Sequence, residues 1–313
     1  MRTKEFLQIR YDTLDEIAEK LRNGLMVPAM DELCLWLRLE RSFQKEDDWS
    51  RFVTACREHP VSTLVHADPF TWRAFSKPRG YAGDAVMMDY IYSAQHEHLK
   101  PEFTSAQGAA IFQFTTEAAS SRAVRVRREK IAALIDETAT RVAYPRILSI
   151  ACGHLREADC STALQQGRIK TWLALDQDPE SLALVQRDYG HHAVEARQMS
   201  ITALLKQPET LGSFDFVYAS GLYDYLPQRL ARRLTRTMFD LLHPGGRALV
   251  TNFVPEIADL GYMECFMDWH MIYRDHRDML DLASSIPAER IAQVRFSTDP
   301  DRNLWFMEIE KKG

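Results

Sequence analysis

Gly153 and Asp176 form the clearest chemical pattern in the sequence. Gly153 follows a short apolar run, and Asp176 ends the next one. Because glycine has no side chain, the backbone at Gly153 can approach a ligand closely. A carboxylate at the end of a second strand can accept both hydroxyl groups of a ribose. The alternative role for Asp176 is a helix N-cap, but Asp178 before Pro179 is the better candidate for that cap.

The loop that contains Gly153 narrows the choice of cofactor. It has one glycine, so it is not the glycine-rich loop that binds the pyrophosphate of a dinucleotide such as NAD. S-adenosylmethionine (SAM) has no phosphate and needs a less open loop. We therefore predict a SAM site that includes Ala151, Cys152, Gly153, His154, Glu157, Asp176 and Gln177.

Two further strand ends would complete this site. Met199 and Ser200 end the third predicted strand, where one side chain can flank adenine and a polar group can meet its amino nitrogen; a simple strand end is the alternative. Ser220 and Gly221 follow the fourth strand. Parallel sheets bind ligands at the carboxyl ends of their strands, so these residues should lie near Gly153.

The acceptor decides whether methyl transfer from SAM needs a base. A carboxylate is already ionised at pH 7, whereas an amine, phenol or carbon acceptor needs a general base. The candidate catalytic residues are Asp224, after the fourth strand, and His270, in a predicted helical segment after the fifth. A helix cap is the alternative for Asp224, and a substrate contact or a structural histidine is the alternative for His270. His154 is either a SAM contact or a backbone-bonded loop histidine.

Aromatic and cationic residues near these candidates could contact the substrate. We predict this role for Tyr223, Tyr225, Trp269, Tyr273 and Arg274. Arg274 could anchor an acidic substrate, or it could pair with Glu264 or Asp268 on its own predicted helix.

The elements that carry these residues change character near residue 145. Residues 1–135 read as mostly helical, whereas short apolar strands alternate with helix-length segments afterwards, which indicates a parallel sheet between helices. The predicted strands are 146–151, 171–175, 193–198, 214–219, 247–253, 290–296 and 304–310. The last two are joined by too few residues for a crossover helix, so they should form an antiparallel hairpin.

This pattern predicts an α/β fold. Five parallel strands plus a C-terminal antiparallel hairpin form a Rossmann-like sheet, preceded by a helical region. The predicted domains are a helical cap or substrate domain over 1–120 and a SAM-binding domain over 121–313.

Composition restricts the partners and the compartment. The 313 residues carry 39 Lys and Arg against 44 Asp and Glu, and a net charge of −5 disfavours nucleic-acid binding. We interpret the basic stretch 122–130 as a solvated helix face. The five cysteines include no CxxC pair, so we expect no disulfide framework and no metal site. No apolar run is long enough to span a membrane.

The remaining expectations concern location and partners. The segment Met1–Glu5 contains charged residues and lacks the apolar core of a secretory leader. Together with the scattered cysteines, this composition predicts a cytoplasmic protein. We expect a small-molecule acceptor as partner, and a homodimer stays open.

The sequence resembles the class I SAM-dependent methyltransferases over residues 120–313. Phe214–Leu226 fits their fourth strand and the loop after it, and Leu242–Val250, with its Pro-Gly-Gly turn, fits the approach to the fifth. A narrower resemblance, over most of the chain, is to the extracellular-factor family, which makes 3-hydroxypalmitic acid methyl ester, a bacterial signal. It is carried by Lys77–Asp84, Ser220–Leu226 and Asp268–Arg274.

The narrower resemblance implies SAM as cofactor and a fatty-acid carboxylate as acceptor. It also implies that Lys77–Asp84 is a lid over both, with Arg79 at the substrate and Tyr81 at the cofactor; a helix–helix turn is the alternative. Ala151 and Leu155 replace the first and last glycine of the generic methyltransferase loop. The predicted function is O-methylation of a carboxylate such as a hydroxy fatty acid. The alternatives are N- or C-methylation with a His or Asp base, and SAM binding without catalysis.

Overall fold

The computed structural model describes residues 2–313, with side chains from Tyr11 onward. Met1 and the side chains of 2–10, on which the expectation about a leader rests, lie outside the described residues. The chain divides into two units, Met1–Val124 with Glu256–His270, and Arg125–Pro255 with Met271–Gly313. The first unit therefore includes a segment that lies inside the predicted SAM-binding domain 121–313.

Helices make up the first unit and flank the sheet of the second. The α-helices are α1 Arg2–Arg22, α2 Met26–Phe43, α3 Glu46–Glu58, α4 Val61–Val65, α5 Pro69–Ser76, α6 Ala85–Tyr92, α7 Ala106–Thr116, α8 Ala119–Arg141, α9 Thr162–Gln165, α10 Pro179–Tyr189, α11 Ile201–Lys206, α12 Gln228–Asp240, α13 Leu260–Phe266 and α14 His276–Asp281. Short 3₁₀ turns cover Glu97–Leu99, Arg156–Cys160, Pro208–Leu211, Tyr223–Tyr225 and Ala288–Arg290. No helix among residues 2–313 is both long enough and apolar enough to cross a lipid bilayer.

A single seven-stranded sheet organises the second unit. Its strands are β1 Arg146–Ile150, β2 Thr171–Asp176, β3 Val194–Gln198, β4 Phe214–Ala219, β5 Leu242–Phe253, β6 Ile291–Thr298 and β7 Leu304–Lys311. The spatial order is β3-β2-β1-β4-β5-β7-β6, with β1 to β5 parallel and β7 antiparallel to both β5 and β6. The predicted α/β fold, with five parallel strands and a terminal hairpin, is confirmed.

The strand order places the ligand edge between β1 and β4. The chain moves outward from β1 through β2 to β3 and then returns to β4 on the other side. The two connections diverge there, so the carboxyl ends of β1 and β4 leave a crevice of the kind in which open α/β sheets bind ligands. Apolar residues from β1, β2, β4 and β5 pack with α12 into one core beneath this edge.

Two local predictions are wrong. The segment 268–274 is a loop and not a helix, because α13 ends at Phe266 and Asp268 has a left-handed φ of 46°. The basic stretch on α8 is not a solvated face, since Arg125, Arg127 and Arg128 are all buried.

Candidate active site

The loop after β1 has an alternating left-handed backbone. Ala151, Gly153 and Leu155 have φ values of 53°, 53° and 54°. Glycine adopts this conformation without cost, whereas an L-residue pays roughly 1–2 kcal/mol. Ala151 and Leu155 therefore follow the path that glycine would follow at these positions. Replacing glycine by Ala151 and Leu155 at these positions therefore adds strain to the loop but does not change its left-handed conformation.

The carboxylate of Asp176 holds this loop. Oδ2 accepts the backbone N–H of Gly153 at 2.8 Å, and Oδ1 accepts that of Asp178 at 2.9 Å. The predicted pair is thus in direct contact. An ionised carboxylate has about four lone-pair sites, so acceptor capacity remains on both oxygens for the two hydroxyl groups of a ribose. The N-cap role falls to Asp178, whose side chain accepts the Glu180 N–H at 3.0 Å.

Met199, which follows β3 directly, lies beside Asp176. The Met199 N–H donates to the main-chain oxygen of Asp176 at 2.8 Å, and the Met199 side chain is half-buried. Ser200 caps α11, because its hydroxyl accepts the Ala203 N–H at 3.2 Å. The alternative of a strand end with a local structural role therefore describes Ser200 well. Gln177 is exposed and accepts a hydrogen bond from the Gln198 side chain at its carbonyl.

Glu157 belongs to a buried polar cluster inside the fold. The Tyr218 hydroxyl donates to its carboxylate at 2.5 Å. Burial raises the pKa of Glu157, while the Tyr218 hydrogen bond and the charges of Arg127 and Arg128 oppose the rise. Because the Glu157 side chain is buried, this arrangement favours a role in stabilising the loop after β1 over direct contact with a cofactor. Cys152 and His154 are buried in the same loop.

Arg127 lies beside the predicted site, although its position in the sequence predicts a solvated residue. It is buried, and its guanidinium lies 3.5 Å from the position that a Cβ on Gly221 would occupy. A signal for this was present in the sequence. Positions 125 and 127 lie about 160° apart around a helix, so they cannot share one solvated face.

Asp224 lies between the ends of β4 and β5, held by the backbone. Its Oδ1 accepts the Phe253 N–H at 2.9 Å, and its main-chain oxygen accepts the Ile272 N–H at 2.7 Å. Burial raises the pKa of Asp224 to about 6. The Phe253 hydrogen bond and the positive charges of Arg127 and Arg274 limit this rise.

Arg274 has a structural position that differs from the predicted one. Its guanidinium donates to the main-chain oxygens of Tyr223 at 2.7 Å and Leu226 at 2.5 Å, and to the Gln228 side chain at 2.8 Å. Pairing with Glu264 or Asp268 on one helix is therefore wrong. The fully buried side chain fixes the turn after β4, which argues against a substrate contact.

The other predicted substrate residues of this unit lie in different surroundings. Tyr223 is fully buried, and its hydroxyl shares a hydrogen bond of 2.8 Å with Thr235 in the core, which also argues against substrate contact. Tyr225 is exposed and Tyr273 is half-buried. Ser220 and Gly221 are half-buried, and the Thr251 hydroxyl donates to the Ser220 carbonyl at 2.5 Å.

In the first unit, Asp268 brings two of the predicted segments together. Its carboxylate pairs with Lys77, at the start of the predicted lid, and with Arg57 at 2.8 Å. Burial raises the pKa of Asp268, but hydrogen bonds from Lys77 and Arg57 outweigh it and lower the pKa to about 2. Trp269 is buried, with its ring edge-on to that of Phe70.

Three predicted residues of this unit lie nearer its surface. Arg79 is half-buried, Tyr81 is exposed, and His270 is exposed with its Nε2 3.3 Å from the Asp268 carboxylate. Their predicted roles at substrate, cofactor and proton transfer remain predictions.

Comparison with known proteins gives one family match. Residues 147–246 match the model of a methyltransferase domain. No protein of curated function matches the sequence.

Among solved structures, a candidate exported protein from Bordetella parapertussis aligns with a TM-score of 0.57 and 15% identity, over 74% of this chain and 80% of its own. N-methyltransferase NodS from Bradyrhizobium japonicum, in complex with S-adenosyl-L-homocysteine, aligns with a TM-score of 0.44 and 13% identity, over 63% and 90%. The CurJ carbon methyltransferase aligns with a TM-score of 0.49 and 12% identity, over 73% and 67%.

The left-handed backbone of the loop predicts unequal effects on stability for two substitutions. Gly153→Ala places a side chain on a left-handed residue and should lower the free energy of unfolding by about 1–2 kcal/mol. Ala151→Gly relieves similar strain at the cost of unfolded-state entropy, so stability should change by less than about 1 kcal/mol. Urea unfolding of both variants checks this. A loss on Ala151→Gly as large as that on Gly153→Ala would show that backbone strain does not limit this loop.

The ion pairs of Asp268 predict a pH-dependent contribution to stability. The pKa of Asp268 is lower in the folded protein than its usual 3.8, so its contribution is present above pH 4 and disappears as pH falls towards 2. Asp268→Asn should cost about 1 kcal/mol at pH 7, after allowance for solvent screening of this partly exposed carboxylate. Chemical unfolding at several pH values measures the difference. The matched control is Asp48→Asn, which removes an exposed pair with Arg51 and should have almost no effect; an equal cost for both would contradict the assignment.

Sheet, site and family match agree on the class of protein. The order of the sheet is that of the predicted fold, and the methyltransferase match spans β1, β2, β3 and β4 with the loop that Asp176 holds. Residues 147–246 are thus a methyltransferase domain, carried on an α/β sheet of the predicted order.

Proposed function

We propose that this enzyme methylates a carboxylate oxygen of a small molecule. The observation that carries the proposal is the placement of Asp224, a predicted base in the second unit. Its side chain is buried, and the hydrogen bond from the Phe253 N–H to Oδ1 fixes the orientation of the carboxylate. A general base must reach the proton that it removes, whereas a carboxylate acceptor is already ionised and needs no base.

The chain's own residues would then act by binding and alignment. SAM, when bound, supplies a methyl group on a positively charged sulfur that an acceptor oxygen can displace. Asp176 would accept the ribose hydroxyls, and the backbone at Gly153 would lie against the cofactor. Orientation of two reactants can contribute several kcal/mol to a displacement. The fixed turn after β4, held by Arg274, would keep Ser220 and Gly221 at the same edge.

The acceptor class rests on the resemblance to the extracellular-factor family. The segments that carry it are Lys77–Asp84, Ser220–Leu226 and Asp268–Arg274. Two of these meet in the first unit through Lys77 and Asp268. We therefore favour a hydroxy fatty acid as acceptor, the lid role for Lys77–Asp84, and action in the cytoplasm.

N- or C-methylation with a general base is the second candidate function. One observation favours it: burial raises the pKa of Asp224 to about 6, close to the range in which a carboxylate serves as a base at neutral pH. His270 is the other candidate base, in the first unit. An acceptor screen with labelled SAM against hydroxy fatty acids, aromatic acids and amines identifies the acceptor atom.

The ribose assignment predicts that Asp176→Ala abolishes SAM binding. Loss of two charge-assisted hydrogen bonds should weaken binding by about 100-fold or more. Titration calorimetry measures the affinity, and circular dichroism checks that the fold survives. Asp178→Asn is the matched control, because asparagine is an equally good N-cap, and SAM affinity should not change. Unchanged affinity in Asp176→Ala would remove Asp176 from the ribose site.

The carboxylate proposal predicts a pH-independent rate. With a saturating acid acceptor, kcat should stay flat from about pH 6 to 9, because the acceptor remains ionised throughout this range. Asp224→Asn, which keeps an acceptor oxygen for the Phe253 N–H, should retain most activity. The base hypothesis expects kcat to fall as pH drops below about 6 and Asp224→Asn to lose about 100-fold or more. That result would overturn the proposal.

A further inference from the structure

Helix α2, Met26–Phe43, has apolar residues on two opposite faces. Its inner face buries Ala29, Met30, Leu33 and Leu37 in the first unit. Its outer face exposes four large apolar side chains, with exposed fractions of 57% for Val27, 59% for Leu35, 48% for Leu39 and 84% for Phe43. A helix that packs on one core needs only one apolar stripe, so the core of the first unit does not account for the outer residues.

The outer residues lie along one i, i+4 row of the helix, which also contains Asp31 between Val27 and Leu35. Leu35, Leu39 and Phe43 follow one another at i, i+4 spacing, and Val27 lies two such steps before Leu35. Residues four apart are neighbours on a helix surface. At 100° per residue, Leu35 points almost directly away from Leu33 and Leu37. We refer to Val27, Leu35, Leu39 and Phe43 as the α2 ridge.

We propose that a second copy of this chain packs on the α2 ridge about a twofold axis at Leu35. Ridges with i, i+4 spacing pack into the grooves of another helix at about −50°. A twofold interface uses the same patch on both copies, so the patch must complement itself. The α2 ridge does so at its centre, where Leu35 of each copy meets Leu35 of the other, and Asp31 lies opposite Leu39 and near Arg38 of the other copy.

Two charges, Asp31 within the row of the α2 ridge and Arg38 beside it, determine the direction of pairing. Asp31 lies one turn before Leu35, and Arg38 lies about one turn after it; both are exposed. With the two helices running in opposite directions, Asp31 of each copy lies close to Arg38 of the other. Helices running in the same direction would instead bring Asp31 near Asp31 and Arg38 near Arg38, which is unfavourable. The charges thus complement an antiparallel pair.

The test measures the mass of the full-length protein by sedimentation equilibrium over a range of concentrations. The wild-type protein should change from one chain to two as concentration rises. Leu35→Glu should abolish the dimer, because it places two carboxylates at the twofold axis. Leu280→Glu, at an apolar residue of α14 that is 49% exposed, is the matched control and should dimerise like the wild type.

A charge exchange tests the antiparallel geometry. Asp31→Arg and Arg38→Asp should each weaken dimerisation by roughly tenfold, because each substitution sets two like-charged contacts across the interface. The combined variant restores opposite charges and should recover dimerisation. A wild-type protein that stays monomeric, a Leu35→Glu variant that still dimerises, or a double exchange without recovery would each overturn the proposal. Thermal melting confirms that these surface variants remain folded.

Discussion

The hydrogen bond from the Gly153 backbone to the Asp176 carboxylate is the constraint on which the cofactor edge depends. The parallel register of β1 and β2 brings Ile150 opposite Leu175, so the loop after β1 emerges next to Asp176. Asp176 and the Leu175 carbonyl then hold two successive backbone N–H groups of that loop. These bonds offset the left-handed strain around Gly153. The loop is therefore shaped before any ligand arrives, which reduces the cost of ordering it on binding.

Buried polar groups stabilise the turn after β4, which lies at the same edge of the sheet. Arg274 would be costly to bury alone, but it donates to the backbone carbonyls of Tyr223 and Leu226 in the turn. Asp224 accepts from Phe253 in the same region. These hydrogen bonds connect the turn after β4 to the end of β5. The Asp224 carboxylate and the Arg274 guanidinium hold the turn in place. Both residues therefore have contacts that stabilise this turn, and their predicted roles in catalysis and substrate binding remain predictions.

The segment 256–270 belongs by its tertiary contacts to the first unit, although its position in the sequence suggests the second. Along the chain it follows β5 directly, so it reads as part of the SAM-binding domain. In the structure its Glu264 accepts hydrogen bonds from Arg41 and Trp49, each at 2.7 Å. Its Tyr262 shares a hydrogen bond with Thr71. These partners lie about 200 positions away, and no local pattern in the segment encodes them.

The sequence by itself determined the strands, their mixed directions and the Gly153–Asp176 pair. Each depends on periodicity, connection length or local spacing, and all of these are properties of nearby residues. Only the tertiary structure decided that Arg127 is buried, that Arg274 holds a turn and that Asp268 joins Lys77 to Arg57. A charged residue carries the same sequence signal on a surface, in a site or in a buried network. Its role depends on partners that only the folded chain brings within hydrogen-bonding distance.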